Sequence, residues 1–289
     1  MTLLYHVDGA LVDRADATVH VDDRGFRYGD AAFETCRAYG GEVFLWDRHL
    51  DRLEATCAVL GMAEAIPGDL RARVDETLEA NGLSEAYVRV SVTRGIQPGT
   101  LTPAEDVDPT VVVYVKPLPS GGTDGDPVWD GPATVQSVET RRIPDDALPA
   151  GAKTHNYLNG ILARLGLHGS GAADESLMCD TDGYVAEGAT SNVFFVDRGT
   201  LKTPERGTIL PGITRGAVLE AAERIGVPAE VGRYTIDDVR GSTEAFLTNT
   251  TWEIRPIGRL DGAAIGGGPV TDRLREAYDE LVDRRCYET

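Results

Sequence analysis

The stretch from Lys116 to Pro132 holds four prolines and four glycines. Proline withholds the N–H that a helix or a ladder needs, and glycine loses the most backbone freedom on ordering, so no regular element runs easily through such a segment. The fold must therefore be assembled from what lies on either side. We expect a smaller N-terminal α/β domain over 1–117, an interdomain linker over 118–132 and a larger C-terminal domain over 133–289. With 289 residues, 42% of them apolar, each side can fill a core.

On the N-terminal side, Leu3 to Val7, a turn at Asp8-Gly9, Leu11-Val12 and Ala17 to Val21 read as a hairpin, and Ala32 to Tyr39, a Gly40-Gly41 turn and Val43 to Trp46 read as another. Asp47 is expected to cap a helix from Arg48 to about Leu60, and a second helix is expected from Pro67 to Ala80, stopped by Asn81-Gly82. Tyr87 to Val92 and Thr110 to Val115 are strand-like, with a long loop from Gly95 to Pro109 between them. The C-terminal side gives strands near 133–139, 176–179, 184–186, 192–196 and 244–248, and helices near 156–169, 212–225, 235–239 and 271–282. No repeat period stands out, and the expectation is an α+β chain of two unequal lobes.

Forty-seven acidic residues against 28 basic ones leave a net charge of −19, which disfavours binding to nucleic acid or an anionic membrane. Acid spread along the chain fits a protein living at high salt, where self-repulsion is screened. Cys36, Cys57, Cys179 and Cys286 lie far apart, with no CxxC and no histidine pairing, so neither a metal site nor a disulfide framework is expected. With no basic, apolar leader and no run of 18 apolar residues, a soluble cytoplasmic protein is expected.

Three stretches could carry chemistry. Lys153 follows the turn-forming Leu148-Pro149-Ala150-Gly151-Ala152 and precedes Leu158, Ile161, Leu162 and Leu165, spaced as on one helix face. At a loop-to-helix junction, the helix N-terminus and partial burial both disfavour an ammonium, the condition a Schiff-base lysine requires. In isolation, a surface lysine ahead of a helix reads the same way. Glu187 sits before Gly188-Ala189-Thr190-Ser191-Asn192, where small residues let another group come close to the backbone. A carboxylate there can pair with a cationic ring nitrogen, although a turn glutamate facing water is the plainer alternative. Leu210-Pro211-Gly212-Ile213-Thr214-Arg215 opens a helix with free N–H groups suited to an anion, and Thr248-Asn249-Thr250-Thr251 offers hydroxyl and amide donors at a strand end.

Their joint order, together with Arg48-His49-Leu50-Asp51-Arg52-Leu53 ahead of them and Asn156-Tyr157 after the lysine, resembles the class IV pyridoxal-phosphate aminotransferases. That family includes branched-chain aminotransferases, D-amino acid aminotransferases and 4-amino-4-deoxychorismate lyase, and the resemblance spans Tyr5 to about Tyr278. It implies fold type IV: a smaller N-terminal lobe, a larger mixed β/α lobe that binds the cofactor, and a homodimer. It implies that Lys153 carries pyridoxal 5'-phosphate and shuttles the catalytic proton. By the same carry-over, Glu187 holds the ring nitrogen, Tyr157 the 3′ oxygen, and Arg52, Ile213, Thr214 and Thr250 the phosphate, while Ser191 and Asn192 belong to the same cofactor motif.

On the substrate side, Tyr28, Phe33, Tyr87 and Arg89 fall where branched-chain enzymes place pocket residues, and Thr251 follows the phosphate threonine. Thr93-Arg94-Gly95 is similar to the D-amino acid enzymes and the lyase, which makes Arg94 a candidate, but Ile96-Gln97-Pro98-Gly99-Thr100 lacks the Arg-x-His pair of D-specific enzymes. Thr35 stands where the lyase has a functional threonine, whereas Glu253 to Pro256 has the transaminase ending. The resemblance thus implies transamination of an amino acid, of branched-chain type with 2-oxoglutarate or glutamate, with the lyase as the alternative.

Overall fold

The structure, a computed structural model, describes residues 2–119, 127–168 and 173–288. Positions 120–126 of the expected linker and position 169 of the expected helix lie outside the described residues. The chain forms two compact units. One comprises Met1–Pro119, Ala152–Asn156 and Val282–Thr289, the other Ser120–Gly151 and Tyr157–Leu281. Lys153, placed by sequence in the C-terminal domain, thus packs with the N-terminal unit.

The first unit runs β1 (Leu4–Val7), β2 (Ala10–Asp13), α1 (Arg24–Tyr28), β3 (Ala31–Tyr39), β4 (Glu42–Val43), α2 (Trp46–Val59), α3 (Leu70–Asn81), β5 (Ala86–Thr93) and β6 (Val111–Pro117). Its six strands form one antiparallel sheet in the order β2-β1-β6-β5-β3-β4. Register sorts the side chains onto two faces, because residues directly opposite each other point the same way. Glu34 faces Val90 and Cys36 faces Val88 on one side, while Phe33 faces Ser91, Thr35 faces Arg89 and Arg89 faces Tyr114 on the other. The valine face forms the core with Trp46, Leu53 and Cys57 of α2 and Leu70, Val74 and Leu78 of α3. Each such side chain contributes about 1.5–3 kcal/mol relative to exposure.

Helix α2 begins earlier than expected. Its N-cap is Leu45, at φ 51° in the left-handed region and without a side-chain cap, and Asp47 lies inside the first turn, where its charge meets the positive helix end. Residues 17–21, expected as strand, carry no ladder.

The second unit contains β7 (Ala133–Ser137), α4 (Leu158–Leu165), β8 (Glu175–Cys179), β9 (Val185–Gly188), β10 (Asn192–Asp197), β11 (Thr200–Pro204), α5 (Ile213–Arg224), β12 (Ala229–Gly232), α6 (Ile236–Arg240), β13 (Glu244–Asn249), β14 (Glu253–Leu260), β15 (Ala263–Ala264) and, up to Leu281, α7 (Pro269–Cys286). A mixed sheet of nine strands runs β12-β11-β10-β13-β14-β7-β8-β9, with β15 beside β14. Val193, Phe195, Ala245 and Leu247 point to a core that includes Val239 of α6. Asn192 pairs with Thr248 and Phe194 with Phe246 on the opposite face.

Strand β14 is not among the strands expected from the sequence, and it carries Pro256 within it. The ladder to β7 starts one residue later, at Ile257, so the missing donor falls outside it. Helix α4 forms from the expected apolar periodicity, yet Leu158, Ile161, Leu162 and Leu165 are all about half exposed or more.

Candidate active site

Lys153 is held by its backbone before anything is asked of its amine. Extended chain around it runs beside the start of β3, where Thr154 bridges Ala32, Phe33 N–H donates to Lys153 O at 3.0 Å and His155 N–H donates to Ala31 O at 2.9 Å. The Lys153 N–H donates to Thr56 Oγ1 of α2 at 3.0 Å. The lysine therefore lies ahead of the helix start, whose N-cap is Tyr157, and not at the expected loop-to-helix junction. Its Nζ stands 4.5 Å from the centre of the Phe33 ring, and the Arg89 guanidinium stands 3.8 Å from the same ring.

Phe33, Thr35, Tyr87 and Arg89 share the sheet face away from the helices, as cross-strand register requires. Three further residues of this cluster were not singled out as site residues from sequence. Ser91 Oγ accepts from Arg89 Nε at 3.3 Å and lies 3.2 Å from His155 Nε2. Tyr114 stacks on Tyr87 with ring centres 5.9 Å apart, and burial pushes its phenol up to about 12. Burial, and then the Arg89 charge, hold His155 down at about 4, so its ring is neutral. Among the described residues the contacts of Arg89 are with Ser91 and Phe33, and none is with a carboxylate. In a chain this acidic, a half-buried arginine without one is suited to an anionic ligand. Period-two alternation was the signal that could have found Ser91 and Tyr114.

On the opposite sheet face, Arg52 is locked to Glu34 through Nε–Oε1 and Nη2–Oε2 contacts of 2.7 Å each, and His49 Nδ1 lies 2.7 Å from Glu34 Oε2. Burial works to raise the Glu34 carboxyl, but the charge and hydrogen bonds of Arg52, with those of His49, outweigh it and hold it at about 2. Burial lowers His49, against the raising effect of its hydrogen bond to Glu34 and of the Glu34 charge. Glu34, Cys36 and His49 bring ligand-type atoms within 4.8 Å of one another, but a metal ion there would have to displace a guanidinium from Glu34, so the cluster reads as an ion pair.

Two further substrate candidates are engaged with other partners. Arg94 is buried and committed to Asp30, through Nε–Oδ2 at 2.8 Å and Nη2–Oδ1 at 3.1 Å, and to the Leu60 carbonyl. Tyr28, at the end of α1, has the guanidinium carbons of Arg24 and Arg27 at 5.0 and 5.3 Å from its ring centre.

In the second unit Glu187 is fixed by three donors. Arg142 Nε reaches Oε1 at 2.7 Å, while the Leu210 N–H and Asn192 Nδ2 reach Oε2 at 2.9 and 3.2 Å. Arg142 carries no sequence signal; its position depends on Asn159 of α4, whose amide bonds the Arg141 carbonyl and the Ile143 N–H. Asn192 also donates to the Leu210 carbonyl, and a Cβ on Gly212 would fall 2.0 Å from Asn192 Oδ1, so only glycine fits there. Ser191 Oγ, with Thr190, donates to the fully buried Glu175, which braces the turn.

Helix α5 starts at Gly212 with no side-chain cap, which leaves the N–H groups of its first turn available to an anion beside Thr214. The next residue, Arg215, donates to the Pro204 carbonyl at 2.9 Å, and burial holds it down at about 10. Thr248, across from Asn192, has a buried hydroxyl without a hydrogen-bond partner among the described residues. At the end of β13, Asn249 Oδ1 accepts from the Thr251 N–H and hydroxyl, forming a turn that carries Thr250 and Thr251.

The chain is similar to known proteins over nearly its whole length. A branched-chain-amino-acid aminotransferase of Pseudomonas aeruginosa is 36% identical over 95% of this chain and 91% of its own, and a D-alanine aminotransferase of Listeria innocua is 31% identical over 98% and 97%. Among solved structures, a branched-chain aminotransferase of Thermoproteus uzoniensis with norvaline superposes with a TM-score of 0.89 at 30% identity, covering 100% of this chain and 97% of that one. A 4-amino-4-deoxychorismate lyase of Pseudomonas aeruginosa gives 0.79 at 31% identity, covering 97% and 98%. The α+β, fold type IV architecture expected from the sequence is the fold of these neighbours. The amino-transferase class IV model matches residues 31–260, and the chain belongs to that family.

Proposed function

We propose that this chain is a pyridoxal 5'-phosphate-dependent transaminase acting on L-amino acids of branched-chain type, with 2-oxoglutarate or glutamate as the exchange partner. The observation that carries the reading is the Lys153 amine standing over Phe33, on a backbone tied at both polar groups, with the Arg89 cation against the same ring. The residues fit the cofactor. An uncapped helix start and an unpartnered buried Thr248 hydroxyl suit a phosphate, and a carboxylate held by three donors suits a protonated ring nitrogen.

Bound there, the cofactor supplies an aldehyde for the amine and an electron-withdrawing ring for the electron pair left when a Cα–H bond breaks. Lys153 Nζ carries the cofactor and moves the proton at the substrate Cα. Glu187 holds the ring proton, Tyr157 the 3′ oxygen, and Arg52, Ile213, Thr214 and Thr250 the phosphate. Ser191 and Asn192 act by bracing Glu175 and Glu187. Phe33, Tyr87 and Arg89 receive the substrate, with Tyr28 and Thr251 at its margins, and the Asp30 pairing favours a structural duty for Arg94.

Two observations favour the L-branched-chain reading. The higher structural similarity is to the branched-chain enzyme. Gln97, in the segment that would need a cation for D-specific carboxylate binding, spends its amide on the Asp106 carbonyl and the Ala104 N–H. The lyase remains the second reading because Thr35 lies on the substrate face directly opposite Arg89.

A homodimer is supported by the exposed Leu158, Ile161, Leu162 and Leu165 of α4, of which Ile161 and Leu165 border a surface groove of about 570 Å³. Four buried free thiols support the cytoplasm, and a net charge of −19 supports a high-salt habitat. No described helix is long and apolar enough to cross a membrane.

The test is to incubate the protein, loaded with cofactor in high salt, with L-leucine, L-glutamate, D-alanine and aminodeoxychorismate in parallel while following the cofactor's visible band. L-leucine and L-glutamate should each bleach it, and 2-oxoglutarate should restore it. Formation of 4-aminobenzoate alone would establish the lyase, and a band unmoved by all four would end the transaminase reading.

A further inference from the structure

We propose that Thr56 is the positioning residue for Lys153, and that through its hydroxyl helix α2 sets the amine in fixed register with Arg52. The proposal rests on the cofactor reading above. Thr56 is 1% exposed, and its Oγ1 does two things at once: it donates to the Arg52 carbonyl at 2.9 Å and accepts the Lys153 N–H at 3.0 Å. A hydroxyl has one proton and two lone pairs, so bonding back to the carbonyl four residues earlier fixes the proton and turns a lone pair toward the incoming chain. Threonine gains little for a helix by such a bond, since that carbonyl already serves the backbone ladder. What the arrangement provides is a directed acceptor.

The contact belongs to a closed circuit. Glu34 of β3 grips the Arg52 guanidinium on both oxygens, Arg52 O accepts from Thr56, Thr56 accepts from Lys153, and Lys153 O accepts from the Phe33 N–H of β3, next to Glu34. Strand and helix are thus tied twice, once through the arginine side chain and once through the lysine backbone. The second tie is the one that governs the direction in which the lysine side chain leaves, and Thr56 supplies its side-chain link. Removing the hydroxyl should leave Arg52 in the grip of Glu34 and release the lysine alone.

The experiment compares wild type, Thr56→Val, Thr56→Ser and Lys153→Ala for two ligands. Pyridoxal 5'-phosphate can condense with Nζ, losing water, and borohydride then reduces the C=N bond to a stable secondary amine. 4′-Deoxypyridoxine 5′-phosphate has no aldehyde and reports on the ring and phosphate contacts alone. Valine matches threonine in shape and strands the Lys153 N–H without an acceptor, so Thr56→Val should weaken pyridoxal phosphate about tenfold to a hundredfold. The borohydride-trapped fraction should fall with it, the analogue's dissociation constant should stay within roughly twofold, and Thr56→Ser should restore both.

Unchanged pyridoxal phosphate binding in Thr56→Val, equal losses for both ligands, or failure of serine to restore would each overturn the proposal. If wild type itself traps no cofactor on Lys153, the cofactor reading fails, and with it the premise. Melting temperatures of the variants, expected within a few degrees of one another, exclude general unfolding as the cause.

Discussion

The Glu34 ion pair offers a prediction whose size can be worked out beforehand. The carboxyl moves from 4.5 to about 2 on folding, which means that the folded protein binds that proton roughly 300-fold more weakly than the unfolded chain. At about 1.4 kcal/mol per tenfold, the charged Glu34 stabilises the fold by on the order of 3 kcal/mol at neutral pH. Its folded value is depressed, so this stability is fully present above pH 4.5 and is lost as pH falls from there toward 2. Glu34→Gln keeps the shape and removes the charge, stranding a buried guanidinium, and breaking buried pairs from one side costs about 3–5 kcal/mol elsewhere. Urea unfolding of both proteins should therefore show a gap of about 3 kcal/mol at pH 7 that shrinks by about half at pH 3. A gap under about 1 kcal/mol at pH 7, or one that does not close in acid, would refute the assignment of Glu34 as the charged anchor of α2.

Other expectations follow from single contacts. Gly212→Ala should displace Asn192 and loosen Glu187, so cofactor affinity measured by absorbance titration should fall at least tenfold; wild-type affinity would mean that this clash is relieved elsewhere. Glu187→Gln should cut the transamination rate by orders of magnitude, and unchanged kinetics would remove Glu187 from the mechanism. Introducing Leu158→Glu with Leu162→Glu should turn a dimer into a monomer in size-exclusion chromatography with light scattering, and an unchanged mass would place the subunit contact elsewhere. His155 has its value lowered on folding, so wild type should lose stability as pH falls from 6.5 toward 4; His155→Leu should show less of that loss in melting scans across the same range.

How much of this could be read from the chain alone depended on whether the signal was local. The Gly40-Gly41 turn after Ala31–Tyr39 and the β-branched content of Ala86–Thr93 are local signals, and they place these strands within a residue or two. Cross-strand register then adds what one strand alone lacks, setting Phe33 beside Ser91 and Glu34 beside Val90 on opposite faces. Helix α4 was correctly expected from apolar spacing, but spacing cannot say what covers the stripe, and in the single chain nothing described does. Lys153 was found from its motif neighbours, while its actual surroundings depend on Thr56 and Phe33, which are distant in sequence. Arg142 escaped notice for the same reason, since its role exists only once Asn159 and Glu187 have been brought to it. Strand β14 has no local signal that was used, and it accommodates Pro256 because its ladder to β7 starts after that residue.

Everything in the proposed chemistry turns on which amine takes the cofactor. Protein incubated with pyridoxal 5'-phosphate should be reduced with borohydride, digested and mapped by mass spectrometry. The phosphopyridoxyl mass is expected on the peptide containing Lys153 and should be absent from Lys153→Ala. A label on Lys116 or Lys202 instead, or no label beyond what unfolded protein takes up, would overturn the assignment.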